Sequence, residues 1–268
     1  LGHEENVHLH NLVVDLNPGR EKQSEEQHLT IQETEPESTH AENYRINSFH
    51  LGEGSPKQKF RANMDAIYTL KALENQHRDA TPEEQETLAN YVGWGGLADA
   101  FDAEKTAWTG EYKELKAALT EEEYAAARAS TLNAHYTSPT VIRAIYEALD
   151  GMGFEKGNIL EPSMGVGNFF GMLPDSMLGS RLYGVELDSI TGRIAQKLYP
   201  QAEIKVAGFE TTDRRDFYDL AVGNVPFGNY RVSDKPYDKL GFSIHNYFFA
   251  KALDQVRPGG IVAFVTSR

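Results

Sequence analysis

From about residue 133 onward, apolar runs of strand length alternate with amphipathic helical stretches, and this rhythm restricts the fold more than any other feature of the chain. Ser138-Pro139 can open a helix carrying Val141, Ile142, Ile145 and Leu149. Asn158-Ile159-Leu160 then predicts a short buried strand running into the glycine turn Glu161-Pro162-Ser163-Met164-Gly165-Val166-Gly167. Further strands are expected over residues 181–186, 203–207, 218–222 running on to Asn224, and 261–265. Ile190, Ile194 and Leu198 mark one intervening helix; another, through Tyr247, Phe248, Leu253 and Val256, should stop at Pro258-Gly259-Gly260. Parallel strands need crossover connections, and helices supply them, so the expected fold is α/β: a doubly wound, mostly parallel sheet over residues 133–268.

Ahead of that region the pattern is helical. Phe60, Met64, Ile67, Leu70 and Leu73 share a face, and Thr81-Pro82-Glu83-Glu84 offers an N-cap, a proline at the first helical position and a capping-box acid. Thr120 and Glu123 repeat the capping spacing, so residues 44–132 are expected to form a small helical N-terminal domain. Residues 1–43 contain a polar stretch rich in Glu, Gln, Ser and Thr that cannot bury enough apolar area to offset its ordering entropy. They are expected to be a flexible linker or the tail of an upstream region. The loop Gly93-Trp94-Gly95-Gly96 between helices could bind a ligand, but a glycine-flanked Trp packed against helices is the commoner arrangement.

The net charge of −14 falls entirely within the first 150 residues, and residues 151–268 balance to zero. The basic stripe that gives most nucleic-acid binders their affinity is absent from the composition. With no cysteine and no pair of His residues at ligand-like spacing, no metal is expected. The chain contains neither a signal-like apolar core at its start nor a run of about 20 apolar residues, so no membrane partner and a cytoplasmic location are expected.

Ligands of doubly wound sheets bind beyond the carboxyl ends of the strands, where strand order reverses. The chemistry-bearing residues of this chain sit at those ends: Glu161, Gly165 and Gly167 after the first strand, Glu186 ending the second, Phe209 and Glu210 after the third, and Asn224 after the fourth. The glycines let the backbone approach a ligand closely, and Glu186, about 20 residues beyond the turn, is placed to accept both ribose hydroxyls of a nucleoside. In Asn224-Val225-Pro226-Phe227, the Asn carboxamide oxygen and the Val225 carbonyl can each accept one hydrogen of a planar amine, and Phe227 can stack on its ring. The spacing therefore favours a nucleoside-containing cofactor bound first and an amine presented second.

At these residues the sequence resembles the S-adenosylmethionine-dependent DNA adenine-N6 methyltransferases. The segment His135-Tyr136-Thr137-Ser138-Pro139 is similar to the family's segment ahead of the first strand, which implies cofactor contacts at Tyr136 and Thr137. Residues 161–169, with Glu161, Pro162, Gly165 and Gly167, resemble its first motif, and residues 184–186 its ribose-binding motif. Asn224-Val225-Pro226-Phe227 resembles its catalytic Asn-Pro-Pro-aromatic turn, and residues 245–266 the helix and strand that follow. Residues 44–268, the Gly-Trp-Gly-Gly segment included, also resemble the methylase regions of large helicase–methylase proteins of conjugative elements and phages. The resemblance implies S-adenosylmethionine as cofactor, with DNA and an adjoining helicase domain as partners. Three departures accompany it. Val225 replaces a proline. Gly208 stands where many relatives carry an Asp, leaving Phe209 to stack and Glu210 as a substitute. The chain also stops after the fifth strand, so the core is expected to be C-terminally truncated, without its last strands or target-recognition domain, and weakly active or inactive alone. Protein glutamine methylation and a non-catalytic DNA-clamping module for a helicase are the alternatives.

Overall fold

The computed structural model describes residues 41–47, 52–131 and 137–266. They belong to a compact unit that runs from His40 to Arg268. The expected linker over residues 1–43 lies outside the described residues except for its last three positions.

Helix α1 (Pro56–Gln76) starts at a capping box in which Ser55 and Gln58 satisfy each other's backbone N–H, with Pro56 at the first position. Its buried stripe contains Phe60, Met64, Ile67, Leu70 and Leu73. Helix α2 (Pro82–Ala89) carries the expected Thr81–Glu84 box. Helix α3 (Thr109–Ala118) follows, and α4 (Glu121–Ser130) carries the Thr120–Glu123 box. Helix α5 (Pro139–Gly151) is capped by Ser138 and buries Ile142, Tyr146 and Leu149, while Val141 faces solvent. The remainder alternates: β1 (Asn158–Glu161), α6 (Asn168–Gly171), β2 (Arg181–Glu186), α7 (Ser189–Leu198), β3 (Glu203–Val206), β4 (Tyr218–Asn224), α8 (Ile244–Gln255) and β5 (Val256–Val265).

The strands form a single parallel sheet in the order β3-β2-β1-β4-β5. This is the expected doubly wound arrangement, and its order reverses between β1 and β4. Side chains alternate across the sheet as strand geometry requires. Ile159, Leu220 and Val222 join a core shared with α1, α5 and α7. Leu160 and Ala221 point to a second core with Phe209, Tyr247 and Phe248.

One element differs from expectation. Strand β5 begins at Val256 rather than 261, and takes in Pro258-Gly259-Gly260. Tyr218 pairs with Val256 and Leu220 with Ile261, so the surplus residues are absorbed in a register shift. Among the described strands β5 lies at the sheet edge, where a proline without an N–H and Gly259 at φ 82° are tolerated.

The front helices pack on α7. Arg193 of α7 forms ion pairs with Glu74 of α1 at 2.9 Å and with Glu123 of α4, and Lys197 Nζ donates to the Arg78 carbonyl at 2.6 Å. The extended segment 41–47 also joins this unit. Tyr44 N–H donates to Leu198 O at 2.8 Å, and Ile46 N–H to Gly171 O at 2.9 Å.

Candidate functional site

The carboxyl ends of β1, β2 and β4 open into a cavity of about 260 Å³ at the reversal of strand order. Glu161, Glu186 and Asn224, the last residues of these three strands, all line it. Because β1 and β4 are neighbours, the end of β4 must pass close to Glu161, and Gly223 permits this. Its φ is 148°, and a Cβ there would stand 3.1 Å from Glu161 Cγ.

Most of the expected site residues meet here. Thr137, Glu161, Gly165 and Glu186 line one part of the cavity, and Asn224, Val225, Pro226 and Phe227 line another. Pro162 is buried in the turn and is not a wall residue. Gly167 is also behind the wall: its φ is 82° and a Cβ would lie 2.5 Å from Tyr199 Cε2, so packing requires this glycine. Tyr136 lies outside the described residues.

Phe209 and Glu210 are not brought to the cavity. The Phe209 ring is 3% exposed, with its centroid 4.9 Å from that of Phe248 and 6.2 Å from that of Tyr247. An apolar residue after a strand suits ligand stacking and core packing equally, and here the second core claims it. Glu210 presents its backbone carbonyl to Lys251 Nζ at 3.2 Å. Neither side chain is a wall of the site.

The electrostatics are those of a crowded acidic pocket. The Glu161 carboxyl is 2% exposed, and its Oε2 has no hydrogen-bond partner among the described residues. Burial, reinforced by the charge of Glu186, holds its pKa well above the usual carboxylate range. Glu186 is partly exposed and accepts from Gly165 N–H and Asp188 N–H, each at 2.8 Å. Burial pushes it up to about 7 against the pull of those two donors. These shifts give stability a definite pH dependence. Above the ordinary carboxylate range the unfolded chain ionises Glu161 while the folded chain keeps its proton, so stability falls as pH rises until the folded group ionises too. Glu161→Gln mimics the protonated form. Its melting temperature should match the parent near pH 4 and exceed it increasingly towards pH 8, as scanning calorimetry can check. A constant difference across that range would contradict the assignment.

The sequence pattern did not single out several wall residues. Asp188 and Thr191 follow Glu186, and Asp188 caps α7 by accepting from Thr191 N–H at 2.9 Å and from Thr191 Oγ1 at 2.6 Å. An acid three residues ahead of a Thr at a helix start is a local signal that could have revealed this cap. Gly93, at the start of the Gly/Trp loop, lines the cavity together with Tyr91 before it and Ser130 of α4, and neither Tyr91 nor Ser130 carries a local signal. Trp94 itself is 2% exposed and packs edge-on to Phe101 at 5.2 Å, so its structural role holds. Leu187, directly after Glu186, is 76% exposed beside the site. Among the described residues no group of His or acidic side chains could hold a metal ion, and no helix is long and apolar enough to cross a membrane.

No protein-family model matches the chain. It is 28% identical over 220 residues to the defense against restriction protein B of Escherichia phage P1, covering 80% of this chain and 8% of that protein. Over 92 residues it is 34% identical to the type II methyltransferase M.CvrRI of Paramecium bursaria Chlorella virus XZ-6E, covering 34% of this chain and 24% of that one. The chain thus spans under a tenth and about a quarter of these two relatives. A solved structure from Listeria monocytogenes, provisionally assigned as a class I S-adenosylmethionine-dependent methyltransferase, overlaps 78% of this chain and 73% of its own. Its TM-score is 0.41 and its identity 14%, and no chemistry is carried over from it.

Proposed function

We propose that this chain is a methyl-transfer module that binds S-adenosylmethionine in the cavity and methylates the exocyclic N6 amine of adenine in DNA, within a larger mobile-element protein that includes a helicase. The observation that carries this reading is the convergence of Glu186 and Asn224-Val225-Pro226-Phe227 on one cavity at the strand-order reversal. The names of the phage and viral relatives, defense against restriction protein B and type II methyltransferase, support a DNA context.

The residues present fit such a cofactor. Glu161, Glu186 and Asp188 make the cavity acidic, which suits a ligand bearing a sulfonium and an ammonium group. The open space above Gly165, where a Cβ would meet nothing within 4 Å, allows close approach of a ligand to the backbone. Glu186 would take the ribose hydroxyls and Glu161 the ammonium, while Thr137 would meet the carboxylate. S-adenosylmethionine supplies an electrophilic methyl group.

Asn224 and Val225 would orient the amine. Val225 is fixed by its N–H, which donates to Val265 O at 3.2 Å, so β5 pairing steadies the turn despite the missing proline. With one amine hydrogen accepted by the Asn224 carboxamide oxygen and the other by the Val225 carbonyl, the nitrogen lone pair leaves ring conjugation. The nitrogen would take the methyl group in exchange for the carbon–sulfur bond, and the proton it loses would pass to solvent. Phe227 would hold the ring in line. Beyond the turn, Arg231, Lys235 and Lys239 are exposed on the loop between β4 and α8 and could meet phosphates.

Cofactor binding should release protons, because a bound cation favours the ionised forms of Glu161 and Glu186. Affinity should therefore rise from pH 6 to pH 8. Titration calorimetry in buffers of different ionisation enthalpy reads both effects, and absence of heat at millimolar S-adenosylmethionine would sink the proposal. Transfer of labelled methyl to an adenine-rich duplex, compared with a glutamine-bearing protein acceptor, tests the substrate class.

A further inference from the structure

Phe227 is followed by a second aromatic residue that reaches the cavity. Tyr230 is also one of its walls, and it stands at the rim, since it is 49% exposed while Phe227 is half-buried. The backbone bends at Gly228-Asn229 and brings the two aromatic residues to one opening. Gly228 has a φ of 143°, and a Cβ there would stand 3.1 Å from Tyr230 Cε1 and 3.2 Å from Cδ1. One side of the Tyr230 ring therefore rests on bare backbone, a seat that a side chain at position 228 would deny it.

The chain on either side of Tyr230 is tied down. Upstream, the Val225 N–H donates to Val265 O, and downstream the nearly buried Asp234 carboxylate pairs with Lys251 of α8. Between these ties the rest of the Tyr230 ring is uncommitted: among the described residues it meets no other aromatic ring, and its hydroxyl makes no hydrogen bond. A ring held in place with half of its surface in water gains a stacking contact with a flat partner at little cost in side-chain entropy. Phe227 can cover one face of a ring whose amine meets Asn224. A nucleobase drawn out of a strand loses its stacking on both faces, and one aromatic wall restores only one of them. An amide side chain has no such face to cover.

We propose that Tyr230 clamps the acceptor: seated on Gly228 at the rim, it stacks on the outer face of a nucleobase whose inner face lies on Phe227. This rests on the reading of Asn224 given above and narrows its substrate class to an unpaired nucleobase rather than a glutamine amide. Arg231 follows directly and is exposed, so a strand whose base enters the clamp passes a cation at the same rim.

The test uses a short single strand of thymidines carrying one 2-aminopurine, a base whose fluorescence falls when it is stacked. It is titrated with the full chain in the presence of S-adenosylhomocysteine. The parent should quench the probe, and Tyr230→Phe, which keeps the aromatic face, should quench it equally. Tyr230→Leu keeps apolar bulk without that face and should bind the probe about tenfold more weakly, the scale of one lost base–ring contact. Its melting temperature and its affinity for S-adenosylhomocysteine should stay parental, because Tyr230 is exposed and belongs to the loop after β4, not to the strand ends proposed for the cofactor. Parental quenching and probe affinity in Tyr230→Leu overturn the clamp and leave the reading of Asn224 standing. A parent chain that leaves the probe unquenched overturns the clamp together with a nucleobase as acceptor, whether or not it binds S-adenosylhomocysteine.

Discussion

Asn224→Ala should lower the rate of methyl transfer by about 10²–10³-fold, the scale on which one preorganised hydrogen-bond partner in the transition state acts. The affinity for S-adenosylmethionine should stay close to parental, because Asn224 stands at the end of β4 while the proposed cofactor-binding groups stand at the ends of β1 and β2. A drop in kcat without a matching rise in cofactor Kd is the signature of an interaction made in the transition state. Asn224→Gln should be nearly as damaging, since the added methylene moves the carboxamide by more than an ångström while leaving its chemistry intact. Single-turnover transfer to an adenine-containing duplex, followed alongside cofactor titration, measures both quantities. Loss of cofactor binding in step with activity would mean that Asn224 holds the cofactor and does not orient the amine.

The second large effect is on stability. Asp234 lies in the loop that follows the Asn224 turn, and its Oδ2 takes the Lys251 Nζ at 2.6 Å and the Tyr247 hydroxyl at 2.7 Å. The side chains of the pair are only 5% and 9% exposed. Lys251 also sits over the rings of Phe209, Tyr237 and Tyr247 at 5.3 to 5.9 Å, so little else could neutralise it. Asp234→Ala strands a buried ammonium, and removal of one partner of such a pair destabilises by about 3–5 kcal/mol. For a chain of this length that corresponds to a fall of roughly 10 °C in melting temperature. The double variant Asp234→Leu with Lys251→Met should recover most of the loss, since an apolar pair of similar volume avoids the desolvation penalty. If the single variant melts within a degree or two of the parent, the pair is solvated in solution and does not anchor the loop.

This anchoring links fold to function. The loop carrying Arg231, Lys235 and Lys239 leaves the sheet at Asn224 and enters α8 at Ile244, and the Asp234 pair pins its middle to that helix. The Tyr237 hydroxyl adds a second tie, donating to Asp254 Oδ2 at 2.7 Å.

The parts of this molecule legible in the sequence were those governed by local periodicity. Ile159, Leu160, Leu220 and Ala221 alternate between the two cores in the way a buried parallel strand requires, and two capping boxes mark α2 and α4 by spacing alone. Because ligand sites in such sheets lie at strand ends, the positions of Glu161, Glu186 and Asn224 followed from the strand assignments. The parts that stayed hidden depend on long-range contacts. Nothing near Tyr91 indicates that it lines the same cavity as Thr191, a hundred residues further on, because the packing of the front helices on α7 brings the two together. Phe209 was misplaced for a related reason: the sequence shows an aromatic after β3 but not the Phe248 ring that receives it. Gly167 illustrates a third case, a glycine in the turn after β1 whose absent side chain makes room for Tyr199.

On the proposed reading, one cavity holds the methyl donor between Glu186 and Asn224. A crystal structure with S-adenosylhomocysteine tests it most directly. The predicted result is a ligand with its ribose hydroxyls on the Glu186 carboxylate and its sulfur turned towards the Asn224 carboxamide. A ligand bound outside this cavity, or seated in it with the sulfur directed away from Asn224, would rule out the proposed function.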